Sequence, residues 1–289
     1  MARGSVMAPA RKIAPSVFIL PGLWQRVVLS FGILLTVVFI VSPILYLAIL
    51  SITSQGEVLS GRILPERPVF ENWRIAFETV PLLRFLRNSL LAASLSSVLT
   101  LALSFPLAYA VVRLRIGGRA IPTVVLASYT APPIVAAIPL FFLLRWLGLI
   151  DSVLGLAVVY AAANVPVAFY LLDSFLLRIP PEIEEAAWLD GAGTLRTLAE
   201  IVLPLALPGL TATGIICALL AYNEFLFALL FTYSPASQTL PVAISLFQGE
   251  KLVQFGQMAV ASLTGMVPVY VAGIVLQRWL IGGLTGGLK

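Results

Sequence analysis

Histidine is absent from this 289-residue chain, and cysteine occurs once, at Cys217. The first absence removes imidazole catalysis, histidine ligation of metals and histidine-based pH switching. The second removes an internal disulfide framework and any metal site built from several cysteines. Charge is scarce too: Asp, Glu, Lys and Arg make up 11% of residues, against about 25% in an ordinary soluble domain. No low-complexity tract, clear internal repeat or separate polar domain interrupts the chain. A Gly-x4-Gly-Lys-(Ser/Thr) phosphate loop is also missing, so any ATP must be hydrolysed elsewhere.

What the chain has instead is apolar length. Hydrophobic residues make up 60% of it and the mean hydropathy is +1.03. Six runs approach or exceed the ~20 residues that cross a bilayer core: about 27–50, 89–112, 121–144, 152–176, 205–231 and 258–280. The first is too long for the core of a cleaved leader and has no small-residue cleavage site after it. In lipid a segment must satisfy its own backbone, and these runs are too uniformly apolar for barrel strands. The expected fold is an all-α polytopic membrane protein with six transmembrane helices.

Orientation follows from the basic flanks. The net charge of +5 reads as cytoplasmic and headgroup-facing Lys and Arg, not as a nucleic-acid footprint. A cytoplasmic N-terminus puts Arg3, Arg11, Lys12, Arg26, Arg113, Arg115, Arg119, Arg178, Arg196, Arg278 and Lys289 inside. Outside fall Arg62, Arg67, Arg74, Arg84, Arg87, Arg145 and Lys251, most of them in one longer loop that also carries Glu57, Glu66, Glu71 and Glu78. The short Arg113–Arg119 loop carries most weight, because short loops dominate the positive-inside bias. Both termini are then cytoplasmic. The chain divides into an N-terminal segment 1–26, a first helix 27–50, an external loop 51–87, a five-helix core 88–280 and a Gly-rich cytoplasmic tail 281–289. In the external loop Phe70, Trp73 and Phe77 suggest an amphipathic or interfacial helix.

Between the fourth and fifth runs lies a cytoplasmic segment, 180–204. Pro181 suits a helix first turn, and Glu182, Glu184 and Glu185 stand where the helix dipole favours negative charge. Ala186 and Ala187 keep that helix narrow, and Asp190-Gly191 reads as a turn with Gly191 free to take a positive φ. Thr197-Leu198-Ala199-Glu200 has capping-box spacing for a second helix, and Pro204 and Pro208 mark entry to the fifth span.

Glu185-Ala186-Ala187, then Gly191, then Ile201-x-Leu203-Pro204 has the spacing of the EAA loop of ABC importers. Asn88-Ser89, Ala108-Tyr109-Ala110 with Arg113-Leu114, and Tyr222-Asn223-Glu224-Phe225 look like further signatures of one group. The last carries Tyr where that group usually has Trp. The stretch Gln277 to Gly287 resembles the group's C-terminal tail. Over most of its length the chain resembles the smaller inner-membrane permease of carbohydrate ABC importers, of which the maltose system is the best known.

The resemblance implies a type I importer permease fold in a bacterial or archaeal cytoplasmic membrane. It implies a sugar or oligosaccharide as cargo, with half of the path formed here. Implied partners are a second permease, two ATPase subunits that bind ATP and Mg, and an external solute-binding protein. No cofactor, metal or enzyme activity is expected in this chain. Coupling to the ATPase falls to Glu185, Ala186, Ala187, Asp190, Gly191, Ile201, Leu203 and Pro204, and tail contact to Gly282, Gly283 and Thr285. A non-sugar cargo such as a polyamine or phosphonate is the nearest alternative, and a secondary carrier or channel a distant one.

Polar residues inside the spans are translocation-path candidates: Asn223, Glu224 and Asn164. An acidic residue at mid-membrane costs roughly 2.5–3.5 kcal/mol on insertion scales, so Glu224 should face the bundle interior. Its alternatives are a gate and a structural hydrogen bond. Pro132, Pro133 and Pro139 in the third run are read as locally accommodated, with a kink around a cavity as the alternative. The external loop 232–257 is a candidate surface for the solute-binding protein.

Overall fold

The computed structural model describes residues 22–249 and 252–285, with side chains described as far as 277. Arg3, Arg11, Lys12, Lys251, Gly286, Gly287 and Lys289 lie outside the described residues. Helices follow one another as α1 (Leu23–Ser51), α2 (Gln55–Leu59), α3 (Glu71–Thr79), α4 (Leu82–Val112), α5 (Ala120–Thr130), α6 (Pro133–Trp146) and α7 (Val153–Leu176). After them come α8 (Glu182–Leu189), α9 (Thr194–Thr197), a π-helical turn at Leu198–Val202, α10 (Leu203–Tyr222), α11 (Leu226–Phe231), α12 (Leu240–Ser245) and α13 (Phe255–Thr285). Among the described residues, five helices are long and apolar enough to cross a membrane, and α5 with α6 makes a sixth span if the bent pair counts as one.

The chain forms two units, one ending at Leu45 and one starting at Tyr46. In the first, α1 is apolar on every side, with Phe31, Leu34 and Phe39 all exposed. A helix that is hydrophobic all round belongs in lipid or against other membrane helices.

The second unit is built on α4 and α7, its most extensively packed pair, with α10 laid across both. Lipid gives little hydrophobic reason for helices to associate, so close backbone approach has to supply the attraction. On α4, Ala92, Ser96, Thr100, Ser104 and Ala108 recur every fourth residue and are all 0% exposed. That stripe of small side chains lets α7 come close enough for Thr100 Oγ1 to reach the Ala161 carbonyl at 3.4 Å and Ser104 Oγ the Val165 carbonyl at 3.4 Å. Ser97 Oγ donates to the Gly214 carbonyl at 2.7 Å and ties in α10. Gly209 of α10 sits so near α7 that a Cβ there would stand 2.5 Å from the Phe175 ring.

Three spans depart from the sequence reading. The third is broken, not accommodated: α5 and α6 meet at 98°. Ala131 and Pro132 each precede a proline, which drives both out of the helical region, and their ψ angles are 132° and 128°. A cavity of about 520 Å³ opens at the break, lined by Tyr129, Pro132, Pro139, Ala163 and Phe227 among others. The fifth span stops at Tyr222 instead of running to Phe231: Asn223 is its C-cap, with the side-chain amide donating to the Leu219 carbonyl at 2.8 Å, and a separate short helix follows at Leu226–Phe231. The second begins at Leu82, not Ser89, since Leu82 and Phe85 are already buried, so Arg84 and Arg87 ride on the helix instead of in the loop.

Polar clasps close the end of the bundle opposite α8. Asn88 Nδ2 donates to the Pro235 and Gln238 carbonyls, and Ser89 Oγ accepts from the Leu240 N–H at 2.8 Å. Asp151, at a positive φ of 54°, takes the Tyr233 and Ser234 N–H groups on Oδ1 at 2.8 and 3.0 Å, and Ser237 Oγ as well. Burial pushes its carboxyl up, but these bonds outweigh burial and pull the pKa down from 3.8 to about 2. Helix α3 is formed as expected: Trp73 and Phe77 are half exposed, while Asn72 turns inward and binds the Ser51 and Thr53 carbonyls.

Candidate functional site

The segment 180–204 folds as a helix, a turn and a second helix. Pro181 is the cap residue of α8, and Glu182, Glu184 and Glu185 occupy its first turn. The helix ends in a Schellman motif: the Gly191 N–H reaches the Trp188 carbonyl at 3.1 Å and the Ala192 N–H the Ala187 carbonyl at 2.9 Å. That motif requires a left-handed residue, and Gly191 supplies it at φ 85°. Asp190 caps the helix just before it.

The next helix starts four residues earlier than the capping-box reading placed it. Gly193, with an extended backbone, is its cap, and the Thr197 N–H bonds back to the Gly193 carbonyl at 2.9 Å. Thr197 is therefore inside the helix and fully buried. Glu200 cannot complete a box because its carboxylate is held by Arg196 Nε at 2.8 Å. Helix α9 continues through the π turn into α10, so the second helix of the segment and the fifth span are one continuous rod. The turn is wide because Pro204 has no N–H and its ring clashes one turn back. The Leu203 N–H accordingly bonds five residues back, to the Leu198 carbonyl. Ile201 is half-buried in this turn, while Leu203 and Pro204 are exposed at the start of α10.

Burial splits the Ala pair. Ala187 packs inward at 8% exposure, whereas Glu185 and Ala186 face outward. Beside them stand Trp188 and, almost wholly bare, Leu189 and Leu195 at 89% and 81% exposed. Glu182, Glu185, Asp190 and Arg196 are exposed on the same segment.

Beneath this surface lies a contact that the sequence reading missed. Glu184, 1% exposed, pairs through Oε1 with Arg113 Nε of the α4 end at 2.7 Å. The same guanidinium donates through Nη2 to the Leu176 carbonyl at 2.9 Å and the Ile179 carbonyl at 2.5 Å, where α7 ends. A cation suits carbonyls at the C-terminal end of a helix, where the helix dipole is negative. Tyr109, one turn before Arg113 on α4, brings its buried phenol beside the same carboxylate. The Tyr109 and Arg113 positions, four apart on one helix face, were the available signal. Their partner is 71 residues away for Arg113, beyond what spacing reveals.

The path candidates are not brought together by a shared hydrogen-bond partner. Asn164 of α7 is buried and donates to the Cys217 carbonyl of α10 at 3.3 Å. Asn223 is exposed at the end of α10. Glu224 is half-buried, and its carboxylate accepts from the Phe227 and Ala228 N–H groups at 3.0 to 3.3 Å, capping α11. Tyr222 bonds the Gly265 carbonyl of α13 at 2.8 Å. Gly282, Gly283 and Thr285 lie on the helical backbone of α13, so the expected tail is helical as far as Thr285. Among the described residues no cluster of metal-ligating side chains occurs.

Comparison with known proteins agrees with this architecture. Residues 100–285 match the family model described as the binding-protein-dependent transport system inner membrane component. The sulfoquinovosyl glycerol transport system permease SmoH of Agrobacterium fabrum is 36% identical over 97% of this chain and 94% of its own length. The trehalose/maltose transport system permease MalG of Thermococcus litoralis is 32% identical over 91% of this chain and 96% of its own. The crystal structure of a bacterial ABC transporter involved in import of the polysaccharide alginate contains a chain with the same fold. Its TM-score is 0.69 at 23% identity, covering 89% of this chain and 98% of that one.

Proposed function

We propose, for a chain that belongs to the family of inner membrane components of binding-protein-dependent transport systems, that it carries a sugar or oligosaccharide inward as half of a permease pair. A second, different permease completes the path, an external solute-binding protein delivers the cargo, and two ATPase subunits bind ATP and Mg. The termini and α8 face the cytoplasm. The observation that carries this reading is the bare apolar tip of α8 and α9 beside Glu185, held on a helix pair whose second member runs straight into a membrane span.

In this reading ATP draws the two ATPases together, and each carries the docked α8 with it. Displacement of α8 tilts the spans attached to it and switches the permease between inward- and outward-facing states. The energy is a coupling between two sites, with no chemical step in this chain. Glu185, Ala186 and the exposed turn at Asp190-Gly191 meet the ATPase, while Ile201, Leu203 and Pro204 set the angle at which the segment joins the span. Asn223, Glu224 and Asn164 belong to the cargo path or its supports, and Gly282, Gly283 and Thr285 reach the ATPases from the tail. The sugar follows from the relatives, whose names specify sulfoquinovosyl glycerol and trehalose or maltose as cargo.

Glu185→Lys tests the docking site: ATPase subunits should no longer co-purify with the permease pair, and uptake should cease. Normal association and uptake in that variant would sink the coupling reading. The cargo is tested separately by thermal shift of the cognate solute-binding protein, in which a sugar, and not a polyamine or phosphonate, should stabilise it.

A further inference from the structure

We infer that Arg113 and Glu184 are positioning residues of the transport cycle, a buried strut that carries displacement of α8 into α4 and α7. The inference rests on the coupling role proposed for α8. Along the chain α8 joins α7 through the linker Leu177–Pro181 and α10 through α9 and the wide π turn, and neither covalent connection reaches α4.

The guanidinium bridges all three elements at once. Nε meets the Glu184 carboxylate of α8, Nη2 meets the last carbonyls of α7 and the linker behind them, and the side chain grows from the end of α4. The planar group lets Nη2 hold two carbonyls while its Nε edge carries the ion pair, a division that the compact charge of a lysine ammonium does not offer. The Arg113 and Glu184 side chains are 10% and 2% exposed, so water cannot slip between them and absorb the motion. Because α4 and α7 are interlocked along the stripe from Ala92 to Ala108, a push on Arg113 moves the two as a body. A buried ion pair brings little net stability over well-packed apolar residues. A role in transmitting motion accounts for charge at this position where a role in stability does not.

The test uses the full complex in liposomes, with the second permease, the ATPases and the solute-binding protein, and reads solute transported per ATP hydrolysed. Two variants are compared: Glu184→Gln, which keeps size and an acceptor oxygen, and Arg113→Met with Glu184→Met, which replaces the pair by apolar bulk. The strut predicts that assembled complexes lose about 5- to 150-fold in this ratio, the span of ordinary site-to-site couplings. A ratio within about twofold of the native value in either assembled variant, against that expected range, overturns the inference. So does loss of assembly in both, since the pair would then serve folding. If only one assembles, its ratio decides. Glu185→Lys, run alongside, separates the two failures: uptake persisting there removes the coupling role of α8 itself, whatever the pair does.

Discussion

Gly191 permits a prediction in which one physical effect can be isolated. Its φ of 85° lies in the left-handed region, and a Cβ built on it would meet nothing within 4 Å. Substitution therefore adds backbone strain without a clash. Alanine in that region costs about 1 kcal/mol, a β-branched residue about 2–3 kcal/mol, and asparagine less than alanine because its short polar side chain tolerates the conformation. The strain should open the turn that joins α8 to α9, releasing the Gly191 and Ala192 N–H groups from the Trp188 and Ala187 carbonyls. At RT of about 0.59 kcal/mol, opening rises about fivefold for Gly191→Ala and about 30- to 150-fold for Gly191→Val. Hydrogen exchange at these amides, measured with residue-level fragmentation on the purified protein in nanodiscs, reads this directly. The expected order of lost protection is Asn, then Ala, then Val. If Gly191→Asn exchanges as fast as Gly191→Val, or Gly191→Ala matches the native protein, left-handed strain is not what glycine relieves here.

Two further predictions concern the packing of the bundle and the clasp at its far end. Thr100→Leu, on the fully buried stripe, adds bulk where α4 touches α7 and loses the bond to the Ala161 carbonyl. Overpacking of this kind costs about 1–3 kcal/mol, seen as a lowered midpoint of thermal unfolding in detergent, whereas Val98→Leu on the exposed face of the same helix should leave the midpoint unchanged. Asp151→Ala leaves the Tyr233 and Ser234 N–H groups without their acceptor and should destabilise by about 1–3 kcal/mol. Because the folded carboxyl titrates near 2 and not at 3.8, its contribution is fully present above the higher value and drains as pH falls toward the lower one. Asp151→Asn should remove that part of the acid sensitivity, and an unchanged acid limb of the unfolding profile would count against it.

The six-span layout was readable because a run of about 20 apolar residues has few fates other than a membrane helix. The signals that local rules undervalued were places where one residue ends a helix. Ala131-Pro132-Pro133 was in plain view, yet its effect depended on two successive residues being forced extended, which turns a tolerated kink into a 98° break. Asn223 caps the fifth span with its amide on the Leu219 carbonyl, and Glu224 accepts N–H groups at the start of α11, so two polar residues read as possible path contacts also bond the backbone. The four-residue stripe on α4 is not legible in the sequence, because Ala, Ser and Thr gain meaning only once α7 lies against them. In the sequence Arg113 reads as a topological charge and as part of a family signature, and only tertiary structure shows that it is buried against Glu184.

The spacing of the segment acquires a mechanical account from these details. Glu185 and Ala186 need a helix to face outward on, and Glu184 has to be the residue before them so that it turns inward to Arg113. The helix must stop where Gly191 can adopt φ 85°, close enough for Ala192 to bond the Ala187 carbonyl. The chain then restarts at Thr194, and Pro204 has to come late enough that its missing N–H widens the rod only where the segment enters the span. Moving Gly191 by one position would misplace the Schellman turn relative to the outward face. Moving Pro204 would shift the wide turn along the rod and rotate the exposed Leu195 relative to α10. Each residue type in the pattern thus answers a different geometric demand, and together they set an exposed tip on a rod that continues into the span.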